Sequence, residues 1–282
     1  ARNITTHHRG VRVIMLAGPS SSGQTTTAHL LRAYLTAFGA NCVMVSLDDF
    51  YLGTGRAPQL PDGKFDYESV DALDVEAVKT CLLHIITTGR FSVPRYSFPL
   101  GRPDGEPRQY AIGPEDMVIV EGIHGLNPVF TRELPAGSCV KLYVSVKQQI
   151  KAANGEVISP MDLRLVRRSV RDLKFRDTTP EGTIAMWPQV VKGEDRYIRP
   201  YRLTADYTVN SIHIYEPCVM RGETIPLLRE IAPDSPYYKK ARDLESRLMR
   251  FEPIDPALVP ENSMLREFLG SVKTAAGTGE KK

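Results

Sequence analysis

Short apolar runs alternate along the chain with segments in which apolar residues recur every three or four positions. Val11–Ala17, Cys42–Leu47, Met117–Val120 and Val140–Val146 are continuous runs rich in Val, Ile and Leu, the pattern of strands buried on both faces. Between the first two lies Thr26–Phe38, with Ala28, Leu31, Tyr34, Leu35 and Phe38 on one helical face and Gly39 as a stop. Asp74–Thr88 repeats that spacing through Val75, Val78, Leu82, Leu83 and Ile86, and Gly89 ends it. Helical segments are predicted at 160–174, 180–190 and 236–250, and a last core strand at Tyr207–Asn210. Residues 53–65 read as a loop, and 92–114, which hold five prolines, read as an irregular or hairpin excursion. Strands alternating with helices predict an α/β fold, a doubly wound, mostly parallel sheet flanked by helices.

The turn after the first strand carries candidate chemistry. Gly18-Pro-Ser-Ser-Ser-Gly23-Gln24-Thr25-Thr26 keeps the G-x-x-x-x-G-K-[ST] spacing of a P-loop at every position but one. The glycines allow successive N–H groups of Gly18, Ser20, Ser21, Ser22 and Gly23 to turn toward phosphate oxygens, and the helix from Thr26 adds its positive end. The Thr25 hydroxyl is spaced to ligate Mg²⁺. Gln24 stands where the motif has lysine. It can donate a hydrogen bond but brings no charge, so phosphate binding should suffer less than turnover.

Carboxylates follow at the ends of two strands. Asp48 and Asp49 close the second, at the sheet edge where open α/β folds bind ligands. Strand alternation predicts that only one of them faces the phosphates, and a carboxylate there can accept a proton from an attacking hydroxyl. Val118–Glu121 is an apolar strand ending in an acid, the Walker-B pattern, with Glu121 placed to hold Mg²⁺. From Asp162 to Arg176 the chain reads D-L-R-L-V-R-R-S-V-R-D-L-K-F-R, five arginines to one lysine. Leu163, Val166, Val170 and Leu173 make one stripe, while Arg164, Arg168 and Arg171 repeat on another face with Arg167 beside them. Arginine's planar fork suits phosphate oxygens, so this segment is expected to be a lid, against the alternative of a solvated basic helix face.

Composition narrows the class. The chain is 42% hydrophobic and 24% charged with net charge +3, an ordinary globular balance that does not by itself call for nucleic acid. No aromatic interleaving of the basic run supports a nucleic-acid site, and no apolar run approaches the roughly 20 residues that span a bilayer. The four cysteines are widely spaced and fit a reducing, cytoplasmic setting without structural zinc. The expected organisation is an N-terminal segment 1–10, a kinase domain 11–215 with its lid at about 155–190, a helical extension 216–270 and a disordered tail 271–282.

Taken in order, GPSSSGQTT, S-L-D-D-F-Y (46–51), F-D-Y-E-S-V-D-A-L-D (65–74), P-R-Y-S-F (94–98), V-I-V-E-G-I (118–123), D-L-R-L-V-R-R-S-V-R-D (162–172) and A-D-Y-T-V-N (205–210) resemble the phosphoribulokinase/uridine kinase family of P-loop kinases. The resemblance spans roughly residues 11–215. It implies ATP and Mg²⁺, with Asp48 as general base on a nucleoside 5′-hydroxyl. Asp66 would hold ribose hydroxyls, Tyr96 and Phe98 would pack around ribose and base with Arg164 on the substrate side, and Thr25 and Glu121 would serve the metal. Arg168, Arg171 and Arg176 would belong to the lid that closes over the phosphates. Residues 260–270 are similar to the end of uridine kinase-like proteins that often carry an upstream domain like part of threonyl-tRNA synthetase, so an upstream portion is expected before Ala1.

Two positions depart from the pattern: Gln24, and Gly101-Arg102 where similar uridine kinases have a base-contacting histidine. The leading expectation is an ATP-dependent nucleoside kinase acting on a small molecule, with oligomerisation left open. The alternatives are a nucleotide-binding pseudokinase impaired by Gln24, and a kinase for a phosphorylated sugar read by Arg95 and Arg102.

Overall fold

The computed structural model describes residues 1–7 and 10–271, so the predicted tail lies, beyond Ser271, outside the described residues. The chain forms two compact units. The first comprises Ala1–Ser145 and Pro188–Ser211, the second Val146–Trp187 and the chain from Ile212 onward.

The first unit is built on strands β1 (Val13–Ala17), β2 (Cys42–Ser46), a hairpin pair β3 (Arg90–Val93) and β4 (Arg108–Ala111), then β5 (Met117–Glu121), β6 (Cys139–Ser145) and β7 (Tyr207–Asn210). The main sheet has the order β7-β6-β1-β5-β2 with every pairing parallel. All of β1 is buried. Its side chains alternate between two cores, Val13 and Met15 on one face, Ile14 and Leu16 on the other. Each such apolar side chain stabilises the fold by about 1.5–3 kcal/mol. That central position fixes the loop after β1 against solid backbone.

Helix α1 (Gln24–Ala37) covers the Ile14–Leu16 face through Ala28, Leu31 and Leu35. Helix α2 (Val75–Thr87) covers the other through Val78, Leu82 and Ile85, and is capped by Asp74 accepting from the Ala77 N–H at 3.0 Å. The predicted excursion is a twisted hairpin, β3 pairing antiparallel with β4 and carrying a smaller pair, Tyr96–Ser97 with Arg102–Pro103, at its tip.

The second unit centres on α3 (Pro160–Arg176), started by Ser159, whose hydroxyl accepts from the Asp162 N–H. Helix α4 (Pro180–Tyr197) runs from the second unit into the first, and Pro188 inside it marks the division. The second unit also holds α5 (Glu216–Arg229) and α6 (Tyr238–Leu248). No helix among the described residues is long and apolar enough to cross a membrane.

The basic run departs from its predicted face. Rather than one apolar stripe opposite a polar one, α3 buries Leu163, Leu165, Val166 and Val170 together with Arg164, Arg167 and Arg168, while Leu173 is exposed. Arg167 is fully buried and grips Glu216 through two hydrogen bonds, one of them Nη2 to Oε2 at 2.7 Å. The segment is therefore not a solvated basic face: a partner carboxylate from α5 lets the helix bury charge.

Candidate active site

The loop between β1 and α1 is shaped by sterics at both ends. A Cβ on Gly18 would stand 2.1 Å from the Val144 carbonyl oxygen and 2.6 Å from Ser22 Oγ, so no side chain fits. Ser21 (φ 59°) and Gly23 (φ 86°) are both left-handed, which curls the chain between them. Gly23 caps α1 with no side-chain hydrogen bond, which leaves the first-turn N–H groups of the helix without a side-chain acceptor. Ser22 Oγ is buried with no hydrogen-bond partner among the described residues. An anionic ligand such as a phosphate group would satisfy such a cradle.

Gln24 opens the helix, and its amide donates to the Gly18 carbonyl, bracing the loop across its mouth. Thr25 is exposed and Thr26 half-buried at the same helix end.

Sheet register brings the candidate acids to this loop. Glu121, the last residue of β5, pairs with Leu16 of β1 on one side and Ser46 of β2 on the other. Just past it, a Cβ on Gly122 would lie 2.7 Å from Leu47 Cβ, so the two strand ends pack without an intervening side chain. The strand predicted to run through Leu47 stops at Ser46 and turns into a 3₁₀ turn, Leu47–Phe50, with Ser46 Oγ accepting the Asp48 N–H at 3.3 Å. Strand alternation therefore does not distinguish the two aspartates; their partners do. Asp49 pairs with Arg108 of β4 and accepts the Tyr96 N–H at 3.4 Å, tying the hairpin down. Asp48, half-buried at the same edge as Glu121, is not the residue that makes those ties. Among the described residues no three His, Cys, Asp or Glu side chains cluster as a metal cage. Thr25 and Glu121, the residues expected to serve a metal, both carry oxygen, the donor type that Mg²⁺ takes.

Beside the hairpin tip, Tyr51, Tyr96 and Phe98 form an aromatic cluster, with Tyr96 and Phe98 edge to face at 5.1 Å and Tyr51 at 5.7 Å from Tyr96. Phe98 is 64% exposed, an apolar ring available for stacking. Burial and the neighbouring Tyr67 hold the Tyr96 hydroxyl above its usual pKa. Asp66 is buried in the loop before α2, its Oδ1 accepting the Glu68 N–H at 3.2 Å and its Oδ2 the Tyr197 hydroxyl at 2.8 Å. Tyr197 lies 131 positions away, and no sequence pattern marks it. His124 packs edge-on to it at 6.2 Å, and burial pushes that imidazole down to about 4 despite the nearby Asp66 charge, so it is neutral near pH 7.

In the second unit, the arginines assigned to the lid meet one buried carboxylate. Arg168, Arg171 and Arg176 approach Asp172 at 3.0, 2.7 and 3.7 Å. Arg164 instead lies buried over the Trp187 ring at 5.4 Å.

Comparison with known proteins accords with this arrangement. The uridine kinase of Saccharomyces cerevisiae is 26% identical over 205 residues, covering 71% of this chain but only 37% of the yeast protein's length. The uridine kinase of Lactobacillus helveticus is 26% identical over 198 residues, 70% of this chain and 85% of that protein. Two solved structures share the fold: a provisionally named fructose transport system kinase from Silicibacter sp. TM1040 (TM-score 0.52, 21% identity, 72% of this chain and 92% of that one) and a provisionally named uridine kinase from Bacillus stearothermophilus (0.50, 16%, 73% and 93%). The sequence profile of the phosphoribulokinase/uridine kinase family matches residues 13–215, and with a phosphate-shaped loop, a strand-end acid and a parallel sheet behind them, this chain belongs to that family of kinases.

Proposed function

We propose that this protein transfers the γ-phosphoryl group of ATP to a hydroxyl of a small acceptor, with a nucleoside 5′-hydroxyl as the leading candidate. The observation that carries this reading is the meeting of the Gly18–Thr26 cradle, Asp48 and Glu121 at one sheet edge. The loop amides, with Ser20, Ser21, Ser22 and Thr26, would hold the triphosphate and fix the γ-phosphorus for in-line attack. Thr25 and Glu121 would hold Mg²⁺, which when bound offsets charge on the phosphate oxygens. Asp48 accepts the proton of the attacking hydroxyl, while Asp49 stays bound to Arg108 and keeps the hairpin in place. Asp66 accepts hydroxyls of the acceptor, and Tyr96 and Phe98 stack on the acceptor's apolar part; Arg168, Arg171 and Arg176 of the second unit have the forked chemistry that suits phosphate oxygens.

Gln24, in place of the P-loop lysine, makes this a slow kinase rather than an inert one. Its amide braces the loop without adding charge where charge develops. If the deficit equals one lost oxyanion-type donor, about 3–4 kcal/mol of transition-state stabilisation is missing, roughly a hundred- to thousandfold in rate.

Purified protein with ATP and Mg²⁺, offered a nucleoside panel and a panel of sugar phosphates, tests the reading. Product nucleoside 5′-monophosphate supports it. Transfer to sugar phosphates alone would move the acceptor assignment to Arg95 and Arg102, both exposed on the hairpin tip. ATP binding without transfer to any acceptor would overturn it in favour of a nucleotide-binding module.

A further inference from the structure

Helix α4 meets the loop at residues 66–69 too closely for any side chain at one point: a Cβ on Gly193 would lie 2.6 Å from Glu68 Cβ. One helical turn later that approach brings Tyr197 over Asp66, where its hydroxyl donates to Oδ2 at 2.8 Å. The Tyr197 ring is itself held, edge-on by His124 at 6.2 Å and by the Arg196 guanidinium 5.1 Å from its centroid. With the Glu68 N–H on Oδ1 at 3.2 Å, both carboxylate oxygens carry a protein donor. The Asp66 plane is thereby fixed, and each oxygen retains a further acceptor position. A cavity of about 290 Å³ adjoins the pair, lined by Asp66, Gln189, Lys192 and Tyr197 among others.

A carboxylate that recognises hydroxyls must offer its lone pairs in a set plane, because the terminal χ angle of an aspartate is broad and a loose one samples many orientations. We propose that Tyr197 is a positioning residue of the acceptor site, orienting Asp66 so that its free acceptor positions meet the hydroxyls of the incoming substrate. This inference rests on the reading of Asp66 as the hydroxyl-recognising group. Tyr197 acts through Asp66 and so sets acceptor affinity and hydroxyl discrimination rather than the chemical step.

The test is calorimetric binding and steady-state kinetics with uridine and 2′-deoxyuridine, on wild type, Tyr197→Phe, Asp66→Asn and the double variant. Phenylalanine keeps the ring against His124 and Arg196 and removes only the hydroxyl, which donates to Asp66 and also bonds Ser69. The expected result for Tyr197→Phe is an acceptor KM raised about tenfold, kcat within about threefold of wild type and an unchanged KM for ATP, as for one lost hydrogen bond to a charged group. The preference for uridine over 2′-deoxyuridine should narrow, a ratio that does not depend on how much protein is folded. In the Asp66→Asn background the second substitution should add little. An unchanged preference and KM in Tyr197→Phe, with Asp66→Asn impaired, would overturn the positioning role and leave the acceptor reading standing. Equal rises in KM for uridine and ATP would likewise overturn it, as the mark of a general structural tie. Failure of wild type to bind uridine, or indifference of uridine affinity to Asp66→Asn, would overturn the acceptor reading and this inference with it.

Discussion

Replacing Arg167 by leucine strands a carboxylate. Arg167 and Glu216 are both fully buried and joined by two hydrogen bonds, and Glu216 also accepts a longer 3.4 Å bond from the His213 N–H. The guanidinium also lies 5.2 Å from the Phe268 ring, so its removal loses packing as well. Breaking a buried pair by deleting one partner costs about 3–5 kcal/mol, since the remaining charge stays desolvated. At roughly 2–4 °C per kcal/mol for a chain of this size class, Arg167→Leu should lower the melting temperature by about 6–20 °C. Replacing both residues, Arg167→Leu with Glu216→Leu, leaves no buried charge and should recover most of that loss. Thermal melts followed by circular dichroism, repeated in urea, read both numbers. A single variant that loses under about 1 kcal/mol, or a double variant no better than the single, would refute the view that this arginine serves the fold rather than phosphate.

Other perturbations probe the loop and the pH response. Gly18→Ala should abolish measurable ATP binding by calorimetry, because its Cβ would clash with the Val144 carbonyl 2.1 Å away; retained affinity would contradict the steric argument. Gln24→Lys should raise kcat by roughly a hundred- to thousandfold while changing ATP affinity far less, measured by phosphate transfer under saturating ATP. His124 is buried neutral with a folded pKa of about 4, below the unfolded value of about 6.5. Between those values the unfolded chain binds a proton that the folded chain does not, so stability falls as pH drops from about 6.5 to 4, by on the order of 3 kcal/mol in total. Urea midpoints across that range should show the slope, and His124→Gln should flatten it.

What the sequence disclosed follows the physics of local pattern. The buried strands β1, β5 and β6 were legible because Val, Ile and Leu runs leave few alternatives, although β2, read the same way, proves to be a part-buried edge strand, and the Gly18–Gly23 cradle was legible because its glycines answer to steric demands at fixed spacing. Helix α5 falls inside the expected helical extension 216–270, but its own bounds were not legible, since Pro217 and Pro226 and a weakly segregated surface hide its period. Only the family resemblance singled out Asp48; strand alternation could not separate it from Asp49, because the 3₁₀ turn and the Arg108 that pairs with Asp49 arise from the tertiary fold. The burial of Arg167 depends on a carboxylate 49 residues on, and the orientation of Asp66 on a tyrosine 131 residues away. Pairs of that separation leave no periodic trace in one chain.

Phosphoryl transfer with Asp48 as base makes the most direct demand. Calorimetry with ATP and Mg²⁺ and transfer from γ-labelled ATP to uridine, on wild type and Asp48→Asn, separate holding the nucleotide from using it. The expected result is ATP affinity within about threefold for both proteins and transfer about 10²–10⁴-fold lower in Asp48→Asn, the usual contribution of a positioned general base. Equal transfer by the two proteins would contradict the assignment of Asp48 to the chemistry.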